Sequence, residues 1–584
     1  MPLTAFTGVL GPKRAAHLLH RATFGATQAQ VDNFATLTPD LALQKLYGTL
    51  LPDPVLPIDP ATHTEWVLAG TTDANSGDSD LQEFFKGWLL HQMLGAGLAG
   101  EPGLAISARE KIVFFLHTVL TAIQTKIDSS RALYFQNQLF RQFALDKGAS
   151  ATVNFRELTK KVSVDNAMLR LLDGNLNVNG SPNENYAREL LELYSIGRGL
   201  EGTLPPITDP GDYFVFREQD VQAAARVLSG WDFDDTFTNL DEETGLPRGK
   251  VRGNPLNASG HDNTAKQFSD RFDNQVIQPN PLYLNGTAAT EASALDEISQ
   301  LIDLIYSRPE TAKNICRRIY RFFVYHHITP EIDNTIIAEM AATFSANGFK
   351  LQPVLEDLFS SQHFYEATAP VLDDNFGGII KSPLDLMLGT MRFFELSLPD
   401  PVNEAEAFYE KTGGLLRSLS EMGMHFYEPF DVAGYDAYHQ FPIYHRSWIS
   451  TNYLTNRYKF IRELVTDNQM EDGALKIDVV QFVRDHIPNA IASDARLLII
   501  ELAKYLLPLS DNLTFDGTQD DAAGLTAERL NYFLTAFLKT PQIDPDPEAA
   551  WNFRWNNPVD LEVVTNQLRS LFNAMMQSPE YQLF

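Results

Sequence analysis

Cysteine is the scarcest residue in this chain of 584 residues, where Cys316 is the only one. A lone cysteine excludes an internal disulfide framework, and its place within a helical pattern predicts a buried thiol. The chain also lacks an apolar run of about 18 residues, so we predict no membrane span. Its first residues have neither a basic stretch nor a full apolar stretch, so no secretory signal peptide is predicted.

Basic residues are also scarce relative to acidic ones. The 46 Lys and Arg residues face 75 Asp and Glu residues, which gives a net charge of −29. Such a charge repels phosphate backbones, so nucleic acid is not an expected partner. Hydrophobic residues make up 44% and charged residues 21% of the chain, which is typical of a globular protein with a large core.

Apolar residues recur at helical spacing along most of the chain. Three stretches interrupt this pattern: 52–80, 201–290 and 425–448. The second is rich in Gly, Pro, Asn and Asp and contains short strand-like pieces such as Lys250 to Arg252. We therefore predict a mainly α protein, a large multi-helix globular body with a loop-rich, partly β insertion. Its predicted regions are 1–200, 201–290, 291–400 and 401–584.

The most specific local pattern lies in residues 165–197, where a polar loop separates two helical segments. The second segment is amphipathic and is predicted to end at Gly197. The loop places oxygen-bearing side chains at the ligand spacing of an EF-hand, so it is a candidate calcium site. An ordinary Asn/Gly-rich turn explains the same residues, because Asn side chains form Asx-turns. In addition, Val178 stands where an EF-hand has Gly. The candidate ligands are Asp173, Asn175, Asn177, Asn179 and Glu184.

Four polar residues form a candidate catalytic set: His20, Arg188, Glu189 and His261. Together they could supply a general base, an acid and an anion clamp. They could equally form a buried structural network of neutralised charges. The chain contains no zinc motif, nucleophile elbow or Gly-rich phosphate loop, so the sequence does not select a class of enzyme.

The loop from Pro429 to Trp448 is rich in aromatic residues beside polar groups. Tyr438, His439 and Trp448 are its candidate binding residues, because aromatic rings can stack on sugars or grip a peptide. The alternative is a compact loop that packs its own side chains onto the protein.

The chain resembles domain-of-unknown-function family 1800 over roughly residues 10–584. The most specific match is Pro182-Asn-Glu-Asn-Tyr-Ala-Arg-Glu-Leu-Leu-Glu-Leu193. Further matches are His17-Leu-Leu-His-Arg-Ala-Thr-Phe-Gly25, Leu228-Ser-Gly-Trp231, Lys381-Ser-Pro383 and Ser578-Pro-Glu-Tyr-Gln582. The resemblance implies a bacterial, often exported protein with no established reaction. It also implies a partner from family 1501, whose members look like sulfatases or alkaline phosphatases.

Three functional hypotheses follow. In the first, the polar residues hold the fold around a functional cleft and the protein acts with an extracytoplasmic partner of the sulfatase/phosphatase-like kind. In the second, it is a hydrolase or lyase acting on an extracellular polymer. In the third, it is a calcium-stabilised protein that binds carbohydrate or peptide. An open pocket lined by the four candidate catalytic residues would favour the enzyme, and dry, fully paired burial would favour a structural role.

Overall fold

The structure is a computed structural model. It describes residues 3–68, 76–146, 153–366, 378–466, 475–508, 513–517, 525–540, 544–557 and 561–584. The protein is mainly α-helical, as predicted, and small antiparallel strand pairs accompany the helices. None of the described helices combines the length and apolarity needed to cross a bilayer.

The first part of the chain forms short and medium helices. They are α1 (Gly11–Ala22), α2 (Gln28–Ala35), α3 (Pro39–Tyr47), α4 (Asp78–Met93), α5 (Gly100–Val119), α6 (Gln124–Ile127), α7 (Ser130–Ala144), α8 (Phe155–Val162), α9 (Asn166–Leu171) and α10 (Asn185–Glu192). Between α3 and α4, strand β1 (Ile58–Asp59) pairs with β2 (Thr64–Glu65). Ser129 and Asp165 cap the starts of α7 and α9 by accepting backbone N–H groups.

The loop-rich insertion, predicted over 201–290, also contains one helix, α11 (Glu218–Val227). Its strands are β3 (Trp231–Asp232), β4 (Lys250–Val251), β5 (Lys266–Gln267) and β6 (Val276–Ile277). Strand β3 pairs with β4 and β5 pairs with β6, both antiparallel. The predicted strand-like character of this insertion is therefore confirmed.

Helices dominate the remainder of the chain. They are α12 (Glu291–Tyr306), α13 (Pro309–Phe323), α14 (Pro330–Asn334), α15 (Ile336–Ala346), α16 (Leu351–Phe359), α17 (Pro383–Phe393), α18 (Ala405–Glu421), α19 (Asp436–His439), α20 (Thr451–Val465), α21 (Val479–His486), α22 (Asn489–Ala492), α23 (Ala495–Leu506), α24 (Ala527–Leu538), α25 (Pro547–Asn556) and α26 (Leu561–Met576). Short 3₁₀ helices cover Gly174–Leu176, Asp270–Phe272, Pro281–Tyr283, Tyr444–Trp448 and Glu580–Gln582.

The main hydrophobic core extends from Leu10 to Tyr581, so the four predicted regions share it. Helix α5 runs through this core in contact with α1, α3, α4, α7 and α13, and it is buried on almost every side. The fully buried Cys316 confirms the prediction of a buried thiol, and burial raises the pKa of that thiol.

The helix predicted to end at Gly197 ends earlier, at Glu192. The next residues wind in a wider turn, in which the Gly197 N–H donates to the Leu191 carbonyl (2.9 Å). Gly197 has a φ of +71°, which glycine adopts easily and which closes helix ends. The glycine is thus the terminating residue, but the α-helical hydrogen bonds stop before it.

Candidate functional site

Basic and acidic side chains and one histidine from distant segments converge in a mostly buried cluster, which we call the polar centre. Helices α1, α5, α17 and α20 and the residues just before α17 supply it. Its members are His20, Arg21, Lys111, Lys381, Asp385 and Arg457. Arg21 and Arg457 expose 0% of their surface and Lys111 exposes 2%. The Asp385 carboxylate acts on the three cations Arg21, Lys381 and Arg457.

One cation of the polar centre has a matched partner. Lys111 Nζ forms an ion pair with the Asp385 carboxylate. Asp385 is oriented by Ser382, whose hydroxyl donates to Asp385 Oδ2 (2.7 Å) and accepts from the Asp385 N–H (3.0 Å). Burial lowers the pKa of Lys111 and Asp385 opposes that shift. This pair neutralises itself, as buried charges normally do.

Two other cations have no such partner, because within the described residues no carboxylate contacts Lys381 or Arg457. Lys381 Nζ donates to the Tyr581 carbonyl oxygen (2.8 Å). Arg457 donates to Gln582 Oε1 (2.7 Å) and to the Lys381 carbonyl (2.8 Å), and its Nη1 is buried without a hydrogen bond. Burial and then Arg457 lower the pKa of Lys381 to about 7. The polar centre therefore contains two buried cations that no described carboxylate contacts.

Two cavities of about 20 Å³ each lie beside Asp385 and Phe584, which line both. Each has room for about one water molecule. His20 and Lys381 line the first cavity. Burial, followed by Lys381 and Arg21, lowers the pKa of His20 to about 3, so its imidazole is neutral. The half-buried imidazole makes no hydrogen bond to the described residues, which leaves it available to a ligand.

The second cavity contains a pair of histidines in direct contact. The Ile380 N–H donates to His445 Nδ1 (3.0 Å), so the proton of that ring lies on Nε2. His445 Nε2 lies 2.7 Å from His326 Nδ1 and donates to it. Burial is the main cause that lowers the pKa of His445 to about 3 and that of His326 to about 4. Both rings are neutral near pH 7, and Lys111 and Tyr438 line the same cavity.

The structure does not bring the four predicted catalytic residues into one site. His20 belongs to the polar centre, whereas Arg188 pairs with Glu218 (2.6 Å) and contacts Glu184 (3.2 Å). Glu189 is half-buried beside Glu192 and Asp431 and makes no hydrogen bond through its carboxyl group to the described residues. Burial, then Glu192, raises the pKa of Glu189 to about 7.

His261 lies in a separate buried network within the loop-rich insertion. Its Nδ1 donates to the Ser229 carbonyl (2.9 Å), and its Nε2 lies 3.3 Å from Glu297 Oε1. Glu297 also pairs with Lys266, and the side chains of all three titratable residues are fully buried. None of them lines the cavities of the polar centre.

The aromatic loop packs inward. Tyr438 and Trp448 line the second cavity and contact each other with ring centres 6.4 Å apart. Tyr438 also packs on Phe322 at 5.2 Å. His439 is half-buried, with its Nε2 3.3 Å from the Gly434 carbonyl. Two of the three predicted binding residues therefore face an enclosed cavity of the polar centre.

Two of the five side chains of the candidate calcium loop, Asn177 and Glu184, have other partners. Asn177 donates to the Ala225 carbonyl (2.7 Å) and accepts from the Asn183 N–H (3.1 Å), and Glu184 accepts from Arg188. Among the described residues, no group of three or more His, Cys, Asp or Glu side chains could hold a metal ion. Asn175 and Asn179 would bind calcium through amide oxygens, which do not belong to these four residue types. Calcium binding therefore stays a prediction.

These features define a mainly α-helical protein with an enclosed centre rich in basic side chains. The chain belongs to the family described as protein of unknown function (DUF1800), whose model matches residues 17–583. This confirms the resemblance found in the sequence. Neither the curated proteins nor the solved structures contain a match to this chain.

Three segments that carry the family resemblance meet at the polar centre: the segment with His20, the Lys381-Ser-Pro383 segment and the segment ending at Gln582. Sequence reasoning selected His20 but not Lys381, Asp385 or Arg457. Lys381 stood in a matching segment, which was a usable signal. Arg457 lies in an ordinary amphipathic helix, so no local pattern distinguishes it.

Proposed function

We propose that the polar centre binds an anionic group, such as a carboxylate, sulfate or phosphate, of a ligand of this protein. The observation that supports this most strongly is the pair of buried cations, Lys381 and Arg457, that no described carboxylate contacts. An uncompensated buried charge is costly, and a bound anion would remove that cost.

The size of the cavities limits what can enter. Each has a volume of about 20 Å³, so the site accepts one or two oxygen atoms of an anion rather than a whole polymer unit. The half-buried His20 marks the side from which the group reaches Lys381. The ligand is therefore a small anion, or a larger molecule that inserts one anionic end.

The protonation state of Lys381 ties this binding to pH. With a pKa of about 7, the side chain is partly neutral at physiological pH. An anion interacts favourably with the charged ammonium only, so binding raises the pKa of Lys381 and takes up a proton. Affinity is consequently highest below pH 7.

The resemblance to family 1800 implies a sulfatase/phosphatase-like partner outside the cytoplasm. Such a partner would release sulfate or phosphate, and the polar centre suits oxyanions of this type. The protein would then act together with this partner by binding the released sulfate or phosphate, or the ester that carries it.

A second function, hydrolase or lyase chemistry on an anionic extracellular polymer, is favoured by one specific feature. Lys381 has a pKa near neutrality and lines the same cavity as the unbonded imidazole of His20. A group with a pKa close to the working pH is well suited to general acid–base catalysis. In this case the bound anion would orient the polymer beside Lys381.

Anion binding can be measured by calorimetry and thermal melting with formate and sulfate, against chloride at equal ionic strength. At pH 6 we expect both probes, or one of them, to bind and to raise the melting temperature, because they bind the native state. Lys381→Met should abolish this response. Lys459→Met, which removes a surface lysine paired with Glu421, should leave it unchanged.

The proposal is wrong if formate and sulfate stabilise the wild type no more than chloride does, or if Lys381→Met responds like the wild type. Binding of formate without sulfate would identify a carboxylate ligand. Binding of sulfate would instead agree with the companion role suggested by the family resemblance.

A further inference from the structure

A large cleft lies apart from the polar centre and shares no lining residue with it. Its volume is about 920 Å³, within the range of sites for small organic ligands. The segment 49–56 forms one wall, α7 and Arg109 of α5 form the floor, and the loop 240–247 forms the other wall. The walls are tied to the floor, since Arg109 donates to the Pro52 carbonyl (3.2 Å) and Gln142 donates to the Thr244 carbonyl (3.2 Å).

Two arginines lie on the floor of the cleft. Arg109 Nε (3.0 Å) and Arg141 Nε (2.8 Å) both donate to the single carboxylate of Glu110. Burial works against ionisation of Glu110, but Arg141 and then Arg109 outweigh it and lower the pKa of this carboxyl. On the floor two arginines share the Glu110 carboxylate, and the Asp53 carboxylate on the wall also acts on Arg109.

Two neutral polar groups on α7 also face the cleft without a partner. Tyr134 is only 4% exposed and lines the cleft, yet its hydroxyl makes no hydrogen bond to the described residues. The amide of Gln138, one helical turn further on, makes none either, and its nitrogen is buried. Tyr134, Gln138 and Arg141 lie at helical spacing on one face of α7, so these groups point the same way.

Exposed leucines form part of the rim of the cleft. Leu50, Leu68 and Leu240 line the cleft and expose 74%, 48% and 46% of their surface. Exposed leucines around a concave site indicate an apolar ligand surface. The acidic groups in the lining, Asp53 and Glu243, lie on the walls, and Glu243 pairs with Lys161 (2.8 Å).

We infer that this cleft binds a small amphipathic molecule that carries a carboxylate. The apolar body lies between the rim leucines and Phe135, and the carboxylate points to the floor. There it accepts hydrogen bonds from the Tyr134 hydroxyl and the Gln138 amide and is attracted by the Arg109–Glu110–Arg141 charges. The inference does not depend on anion binding in the polar centre.

The test uses the fluorescent sulfonate 8-anilinonaphthalene-1-sulfonate as a reporter on the full chain, with decanoate and decanol as competitors. We expect one saturable site from which decanoate displaces the dye at a concentration at least about tenfold lower than decanol does. Tyr134→Phe should weaken decanoate by about three- to tenfold and leave decanol within twofold, because it removes only the hydroxyl.

The rim is tested with the double variant Leu50→Asp/Leu240→Asp, which should weaken decanoate by at least about tenfold. Leu256→Asp/Leu282→Asp is its matched control, because both of these leucines are highly exposed elsewhere and should not affect binding. Circular dichroism verifies that each variant is folded. The inference would be overturned if the dye showed no saturable site. It would also be overturned if decanoate displaced the dye equally well from the rim variant and from its control.

Discussion

Two buried clusters of charge in this molecule differ in how their cations are balanced. In the loop-rich insertion, Lys266 pairs directly with Glu297, and His261 closes the group. In the polar centre, Lys381 and Arg457 are just as deeply buried, but they rely on carbonyl and amide oxygens. The lysine of the first cluster contacts a carboxylate, whereas the second cluster borders two cavities.

This difference separates a structural role from a functional one. Lys266 has a contacting carboxylate, and none of the three residues lines a cavity of the polar centre, so the position of His261 favours a structural role, although its Nε2 and Glu297 Oε1 make no hydrogen bond to the described residues. A cluster with unpaired cations beside a cavity has capacity left for a ligand. Burial alone does not distinguish the two, because both sets of side chains are almost fully covered.

The largest expected effect on stability comes from breaking the buried Lys266–Glu297 ion pair. Glu297→Gln leaves Lys266 buried with no carboxylate, so we expect a loss of about 3–5 kcal/mol in the free energy of unfolding. Urea titration followed by circular dichroism measures this loss. The double variant Lys266→Met/Glu297→Leu should recover most of it. A loss below about 1 kcal/mol in the single variant would remove the contrast between the clusters.

In the polar centre we expect a substitution to increase the free energy of unfolding instead of lowering it. The pKa of Lys381 is lowered to about 7 in the folded protein, so the unfolded chain binds more protons between pH 7 and its ordinary pKa. Wild-type stability from this group therefore rises with pH above 7 and is lowest below it. In anion-free buffer, Lys381→Met should stabilise the protein by about 1–3 kcal/mol at pH 6, and by less at pH 9. Destabilisation at pH 6 would show that Lys381 is structurally paired.

The third effect is on affinity. Formate and sulfate keep their charge between pH 6 and pH 8.5, whereas Lys381 loses its proton in this range. We expect calorimetry to show binding about five- to thirtyfold weaker at pH 8.5 than at pH 6, since affinity follows the protonated fraction. An affinity independent of pH would exclude Lys381 as the anion's main partner.

The smallest expected effect is on the melting temperature of variants in the candidate calcium loop, a polar cluster unlike the two above. Asp173→Ala should lower the melting temperature by a few degrees only when calcium is present, because the ion would bind the native state. Asn177→Ala should lower it equally with calcium and with chelator, because its side chain bonds to backbone groups in either case. Equal losses for Asp173→Ala under both conditions would contradict the calcium prediction.

Local features of the fold were predictable. Helices such as α7 follow from the helical spacing of apolar residues, because a helix start and an apolar face depend on neighbouring residues. The strand at Lys250–Val251 was also expected. The end of α10 was not, because the turn that closes on Gly197 uses hydrogen bonds outside the α-helical pattern.

The candidate site was predictable only in part. His20, Tyr438 and Trp448 were selected by residue type, and all three line cavities of the polar centre. The separation of Arg188 and His261 from them could not be foreseen. Helical spacing relates residues within one helix, whereas His20, Arg188 and His261 lie on different elements.

The sequence by itself determined the helical class, the acidic character and the absence of a disulfide framework, because composition and local periodicity suffice for these. The tertiary structure alone decided which buried charges have partners. Ion pairing acts over a few ångströms, and the segments that carry Lys111, Lys381 and Arg457 lie far apart in the chain. Only their packing around α5 and α17 leaves Lys111 neutralised and Lys381 unpaired.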